Sequence, residues 1–167
     1  MKVKIPNCTL TEAQKGYIAG FLDGEGNLNI RKHPRSYNGK RYWTHSIRIV
    51  VVNACPTPID YMQRLLGGKR YVRQEHLGKG HQKSYTLALN GAESQSLLKQ
   101  ILPYLIVKKD VGMLMLKYPL NGGQSKDLYA KRETLYLRCL MISPNHQAKA
   151  SVGKRPLAQT EREDNES

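Results

Sequence analysis

Apolar and polar residues alternate along residues 28–33 and again along residues 43–53. A period of two residues is typical of strands that bury one face and expose the other. Between them, residues 34–41 predict a hairpin connection, because they contain Asn38-Gly39, a dipeptide that favours tight turns. The two strands should therefore pair in antiparallel fashion and present a polar, cationic outer face.

The second half of the chain repeats this plan. Residues 69–75 and 83–89 predict a second hairpin. Apolar periodicity and end signals predict helices over about residues 11–23, 59–66, 92–102, 108–118 and 126–141. Two αββ units in succession predict an α+β fold, in which a four-stranded antiparallel sheet has helices on one face and additional C-terminal helices follow.

One domain is expected over residues 1–147, followed by a polar tail over residues 148–167 that lacks periodicity and is expected to be disordered. The chain has 27 Lys and Arg against 13 Asp and Glu, which gives a net charge of +14. A surface that merely aids solubility is the simpler interpretation of this charge. A surplus of this size is nevertheless typical of proteins that bind a polyanion.

No apolar run approaches the length of a membrane span, and no signal peptide is visible. The three cysteines are widely spaced and the five histidines are scattered, which predicts neither a disulfide framework nor a zinc site. We therefore expect an intracellular protein that does not bind membranes, in either a prokaryotic cytoplasm or an organelle.

The segment from Tyr17 to Asn27 is the most informative part of the chain. It begins as an apolar helix and ends in two carboxylates, Asp23 and Glu25, that alternate with glycines. Glycine weakens helix interiors, so we expect the helix to break at Gly24 and Gly26. Small residues at helical spacing would also let a second backbone approach closely; they are Gly16, Ala19, Gly20 and Gly24. If that second helix is a copy of the first, two carboxylate pairs converge and could hold divalent cations.

Residues 18–26 resemble the signature of the LAGLIDADG homing endonucleases. Each position matches the signature in identity or chemical type, and Glu25 replaces its usual final aspartate. The resemblance extends over about residues 9–142. It implies a site-specific endonuclease that cuts both strands of a long near-palindromic DNA target by metal-dependent hydrolysis. It also implies short 3′ overhangs and a role in intron homing.

The resemblance implies roles for individual residues of this chain. Glu25 and the Gly24 carbonyl would hold the metal, with Mg²⁺ expected and Mn²⁺ able to substitute. Asp23 is expected to have a structural part at the helix end, although metal contact stays open. Lys108 is the candidate for orienting water or stabilising charge, and Lys109 is the alternative.

Asn53 matches a polar pocket position that is usually glutamine in the family. A basic residue expected shortly after it falls near Thr57, and Arg48 is a possible substitute. The motif is present once, so the resemblance implies a homodimer whose interface is formed by the motif helices. The interface candidates are Gly16, Ala19, Gly20 and Asp23.

Outward-facing residues of the predicted sheet are the candidates for DNA contact, because a two-stranded ribbon fits the major groove, where base edges differ. Solvation of an ordinary sheet face is the alternative, but the bases on this face predominate over the acids. The candidates are Asn29, Arg31, His33, Arg35, Lys40, Arg41, Ser46, Arg48, Arg73, Glu75, Lys83, Ser84 and Thr86. Lys32 and Lys79 are further candidates for phosphate contact.

Two other functions fit the same scaffold and charge. An RNA maturase that assists intron splicing would prefer folded RNA to duplex DNA. A DNA-binding regulator without catalytic activity would bind independently of metal and of Glu25. The retained acids and Lys108 favour the nuclease.

Overall fold

The computed structural model describes residues 9–73, 83–121 and 125–142. Five α-helices and four strands follow one another as α1 (Glu12–Glu25), β1 (Gly26–Tyr37), β2 (Lys40–Asn53), α2 (Pro56–Leu66), β3 (Lys69–Arg73), β4 (Ser84–Asn90), α3 (Ala92–Ile101), α4 (Lys109–Leu116) and α5 (Lys126–Ile142). A short 3₁₀ helix, Leu102–Tyr104, follows α3. No helix in these three segments is long and apolar enough to cross a membrane.

The four strands form one antiparallel sheet in the order β1-β2-β4-β3. The long β1–β2 hairpin extends beyond the paired part of β4, because only Arg48–Asn53 of β2 pair with β4. The predicted fold class is confirmed, since the helices cover one face of this sheet and leave the other face to solvent.

The core lies between the sheet and the helices. The alternating positions predicted to face inward are buried, and so is the apolar side of α1. The largest of these buried side chains are Ile18, Leu22, Ile47, Ile49, Ile59, Met62, Leu87, Leu98, Ile101, Leu105 and Met115. The sheet thereby fixes the C-terminal end of α1 against the end of β2.

The first hairpin turn is tighter than the sequence predicted. Residues 34–41 were expected to form the connection, but the strands continue until Asn38 and Gly39. Both turn residues have positive φ, 48° and 72°, as a type I′ turn requires. Pro34 is tolerated within β1 because β1 is an edge strand.

The end of α1 also differs from the prediction. The helix begins after a capping box formed by Thr11 and Gln14 and continues through Gly24 to Glu25, so Gly24 does not break it. The chain leaves the helix at Gly26, where a Cβ atom would lie 2.7 Å from the Leu22 carbonyl oxygen. Only glycine permits this close approach, and the prediction of a break is therefore correct for Gly26 alone.

Candidate functional site

Glu25 is exposed at the C-terminal end of α1. Within the described segments its carboxylate has no hydrogen bond and no ion pair, and the Gly24 carbonyl accepts no hydrogen bond. A carboxylate at a helix C-terminus opposes the helix dipole. Glu25 and Gly24 therefore present free oxygen ligands at a position that favours a cation.

The Asp23 carboxylate already accepts hydrogen bonds from backbone N–H groups of the same chain. Its Oδ2 accepts hydrogen bonds from the backbone N–H groups of Ile106, at 2.7 Å, and Val107, at 3.2 Å. Its Oδ1 accepts one from the N–H of Lys108, at 3.0 Å. The carboxylate thus ties the segment before α4 to the end of α1, which agrees with the expected structural part.

Lys108 lies across the end of α1. Its Nζ donates to the carbonyl oxygens of Leu22, at 2.7 Å, and Asp23, at 2.6 Å. Burial lowers the pKa of this ammonium, and the nearby carboxylates of Asp23 and Glu25 counteract that shift. The structure therefore brings Lys108 to Asp23 and Glu25, which are distant from it in sequence and were predicted to share a site with it.

Asn53 ends β2 beside this cluster, because the pairing of Gly26 with Val51 aligns the end of β2 with the end of α1. Its Oδ1 accepts a hydrogen bond from the Cys55 N–H at 2.8 Å, so the side chain shapes the turn before α2. No hydrogen bond joins Asn53 to Glu25 in the part of the chain that the structure describes.

The outer face of the sheet carries most of the predicted DNA-contact residues. Cross-strand pairs on this face are Asn29 with Arg48, Arg31 with Ser46 and His33 with Thr44, with Arg35 next along β1. Ser84 and Arg73 form another pair, although the Arg73 side chain, Glu75 and Lys79 lie outside the described residues. Exposed cations near the strand ends are Lys40, Arg41 and Lys83.

Two candidate DNA-contact residues on the sheet lie in surroundings that differ from those predicted. Thr86 is on the outer face but buried between Val52 and Tyr71 in the adjacent strands. Lys32 lies on the helix side of the sheet, where its Nζ pairs with Glu133 of α5 at 2.8 Å. The phosphate contact predicted for Lys32 is therefore wrong, because alternation places its side chain on the opposite face from Arg31.

Asn29 and Arg48 also show an unusual feature. Asn29 Oδ1 and Arg48 Nε are buried and have no hydrogen-bond partner among the described residues. Buried polar atoms are usually paired, so each such atom requires an explanation.

A surface of small residues on α1 is open to a partner. A Cβ atom added at Gly16, Gly20 or Gly24 would meet nothing within 4 Å. Ala19, in contrast, is fully buried in the core of its own protomer, so it does not belong to the accessible surface. The prediction that Ala19 faces a partner is corrected by this packing.

Sequence reasoning missed the apolar residues beside this surface. Ile106 is 85% exposed and Val107 is 66% exposed, and Asp23 holds both backbone groups in place. Tyr17, on α1, is also exposed. The sequence feature that could have revealed them is the apolar pair Ile106-Val107 directly before Lys108, because a solvent-facing loop does not require apolar residues.

No protein-family model and no curated protein matches the chain. The chain does match several solved structures. The homing endonuclease I-CvuI, in complex with the I-CreI target, aligns with a TM-score of 0.67 and 20% identity over 80% of this chain and 83% of its own. The archaeal intron-encoded homing endonuclease I-Vdi141I, complexed with DNA, aligns with a TM-score of 0.55 and 14% identity over 87% of this chain and 89% of its own.

The LAGLIDADG homing endonuclease I-GzeII, in complex with its DNA target, gives a TM-score of 0.51 and 16% identity over 86% of this chain and 52% of its own. These identities are low, so the comparison concerns the fold. It agrees with the resemblance carried by the motif at residues 18–26, which lies at the end of α1. The chain has the fold of the LAGLIDADG homing endonucleases, and the resemblance indicated by its sequence is confirmed at that level.

Proposed function

We propose that this protein is a site-specific DNA endonuclease that cuts a long near-palindromic target as a homodimer. The reaction is metal-dependent hydrolysis of phosphodiesters on both strands, with short 3′ overhangs and intron homing as the biological role. The observation that carries the proposal is the unpaired Glu25 carboxylate at the end of α1, next to the Lys108 ammonium. The fold it shares with DNA-bound homing endonucleases supports the same reaction class.

The oxygen ligands at the end of α1 suit Mg²⁺, with Mn²⁺ able to substitute. Glu25 offers a carboxylate and Gly24 a backbone carbonyl, and hard cations prefer both kinds of ligand. A bound ion would stabilise negative charge on the attacking and leaving oxygens of the phosphodiester. Asp23 is a weaker candidate for this ligand set, because three backbone N–H groups already occupy its oxygens.

One protomer supplies only part of a metal site. In the described segments, no three His, Cys, Asp or Glu side chains lie close enough together to hold an ion. A second copy of α1 packed on the open surface at Gly16 and Gly20 would bring a second Glu25 to the first. This incompleteness supports the homodimer and, through its two-fold symmetry, a near-palindromic target.

Lys108 would act on the phosphate directly. Its ammonium is held by two carbonyl oxygens and is already partly desolvated, so it needs little reorganisation to stabilise developing charge. Lys109 is exposed at the start of α4, and among the described residues no hydrogen bond or ion pair joins it to α1. We therefore assign the role to Lys108, with Asn53 as a polar neighbour at the end of β2.

The outer face of the sheet would read the DNA. Arg31 and Arg48 can pair bidentately with guanine, and Asn29 with adenine. The unpartnered atoms of Asn29 and Arg48 are consistent with groups that gain hydrogen bonds when the major groove is occupied. Lys40, Arg41 and Lys83 would contact phosphates, as exposed lysines and arginines at strand ends commonly do.

The test is cleavage of a randomised double-stranded DNA library by wild type and by Glu25→Gln, each with Mg²⁺ and with EDTA. We expect wild type with Mg²⁺ to yield a near-palindromic cut site. Glu25→Gln should cut at least about a hundredfold more slowly than wild type. It should bind the recovered site as tightly as wild type does.

Absence of cleavage with duplex binding intact would favour the regulator, and preference for folded intron RNA would favour the maturase. Either outcome would overturn the nuclease assignment. Cleavage by Glu25→Gln at the wild-type rate would overturn the assigned role of Glu25.

A further inference from the structure

A cavity of about 350 Å³ lies between the N-terminal half of β2 and the first turns of α5. Trp43 and His45 of its lining are on the helix side of the sheet, whereas Tyr42 and Thr44, which also line it, lie in the outward rows of β2. The cavity therefore lies at the part of β2 that does not pair with β4, and it adjoins the face proposed to read DNA. Its size is within the range of small-ligand sites.

Two aromatic rings of the lining are unusually accessible. Trp43 is 56% exposed and Tyr129 is 39% exposed, although both are large apolar side chains. The Tyr129 ring is itself held in place, since it packs edge-on against the His45 ring at 5.1 Å between centroids. Exposed and fixed aromatic faces are the usual platform for stacking a planar base.

The cavity is also positively charged. Lys126 is the first residue of α5, and a helix N-terminus attracts anions. Arg132 lines the cavity six residues further along α5, held by hydrogen bonds to the Pro119 carbonyl. Glu133 balances neither cation, because its two oxygens pair with Lys32 and His45.

His45 supplies an independent sign of a missing partner. Its side chain is completely buried, and its Nε2 lies 2.8 Å from Glu133 Oε2. Its Nδ1 has no hydrogen-bond partner among the described residues. With the Nε2 proton donated to Glu133, Nδ1 is an acceptor that the described residues leave unpaired, and a ligand donor reaches it only after the side chains around it move.

We propose that this cavity binds a nucleotide, with the base stacked on Trp43 and Tyr129 and the phosphate at Lys126 and the N-terminus of α5. A free nucleoside monophosphate and one nucleotide of a single strand share this chemistry. The proposal does not depend on the endonuclease assignment, because none of its residues belongs to the Glu25 site.

Trp43 is the single tryptophan of the chain, so its fluorescence reports on this cavity. The experiment titrates the full chain with 5′-GMP, with inorganic phosphate and with a short single-stranded oligonucleotide. We expect saturable quenching by 5′-GMP and none by phosphate. Tighter binding of the oligonucleotide would identify the strand as the source of the nucleotide, and equal binding would identify the free form.

Lys126→Glu should weaken nucleotide binding about tenfold, since a charge-assisted hydrogen bond is lost. Lys131→Glu is the matched control: it makes the same charge change on an exposed part of α5 outside the cavity lining, and it should leave binding unchanged. An acidic residue suits the first turn of a helix, so Lys126→Glu should fold. The proposal is overturned if neither nucleotide ligand quenches Trp43, or if the two variants weaken binding equally.

Discussion

Asp23 and Glu25 are two residues apart on one helix and have opposite surroundings. Asp23 accepts three backbone hydrogen bonds, whereas Glu25 accepts none from the described residues. The sequence indicated both acids through the motif. It could not indicate that Asp23 anchors residues 106–108, because that contact joins positions more than 80 residues apart.

This difference predicts opposite effects of two matched substitutions on the free energy of unfolding without metal. Asp23→Asn should lower it by about 1–3 kcal/mol, because backbone N–H groups lose charged acceptors. Glu25→Gln should raise it by about 0.5 kcal/mol, because a charge that opposes the dipole of α1 is removed. Urea unfolding in EDTA measures both, and changes of the same sign would contradict our description of this helix end.

At the scale of elements, periodicity and end signals predicted the five α-helices and four strands of the described segments, but not the short 3₁₀ helix Leu102–Tyr104. It did not predict how the long β1–β2 hairpin is supported beyond β4. That support comes from α5, whose Glu133 pairs with Lys32 and His45 on the inner face of the hairpin. A lysine and a histidine on strands resemble surface residues in sequence, and only the tertiary position of α5 explains their inward placement.

The docking of α5 predicts a pH dependence of stability. Burial lowers the pKa of His45 below its ordinary value of 6.5, an effect that Glu133 only partly offsets. As pH falls through 6.5, the unfolded chain therefore takes up a proton that folded His45 does not, and stability decreases. The slope for this one group is at most about 1.4 kcal/mol per pH unit.

The measurement is chemical unfolding between pH 7.5 and about 5. His45→Gln should reduce the slope. His33 contributes a slope of the same sign, since burial and the charges of Arg35 and Arg31 lower its pKa, so the double variant with His33→Gln should be flatter still. The hydrogen bond from Lys32 lowers the pKa of Glu133. The Lys32–Glu133 pair is therefore lost only at a pH below the ordinary pKa of a glutamate. An unchanged slope in His45→Gln would show that the buried imidazole does not govern this range.

At the scale of the whole molecule, the proposed homodimer would join two such chains through their α1 helices. The net charge of +14, the cationic outer face and the open glycine surface of α1 were all accessible from sequence. The inward position of Ala19 was not, because helical spacing alone cannot assign a small residue to the core or to a partner. The proposed cleavage reaction requires two copies of Glu25 that act together.

Mixing wild-type and Glu25→Gln protomers in equal amounts, with random reassociation, tests that claim most directly. The measured quantity is the total rate of strand cleavage, nicks included, at the selected target with Mg²⁺. If both protomers must contribute Glu25 to every cut, only wild-type homodimers cut either strand, and the rate falls to about one quarter. A rate of about one half would mean that each protomer cuts by itself, and it would contradict the shared site.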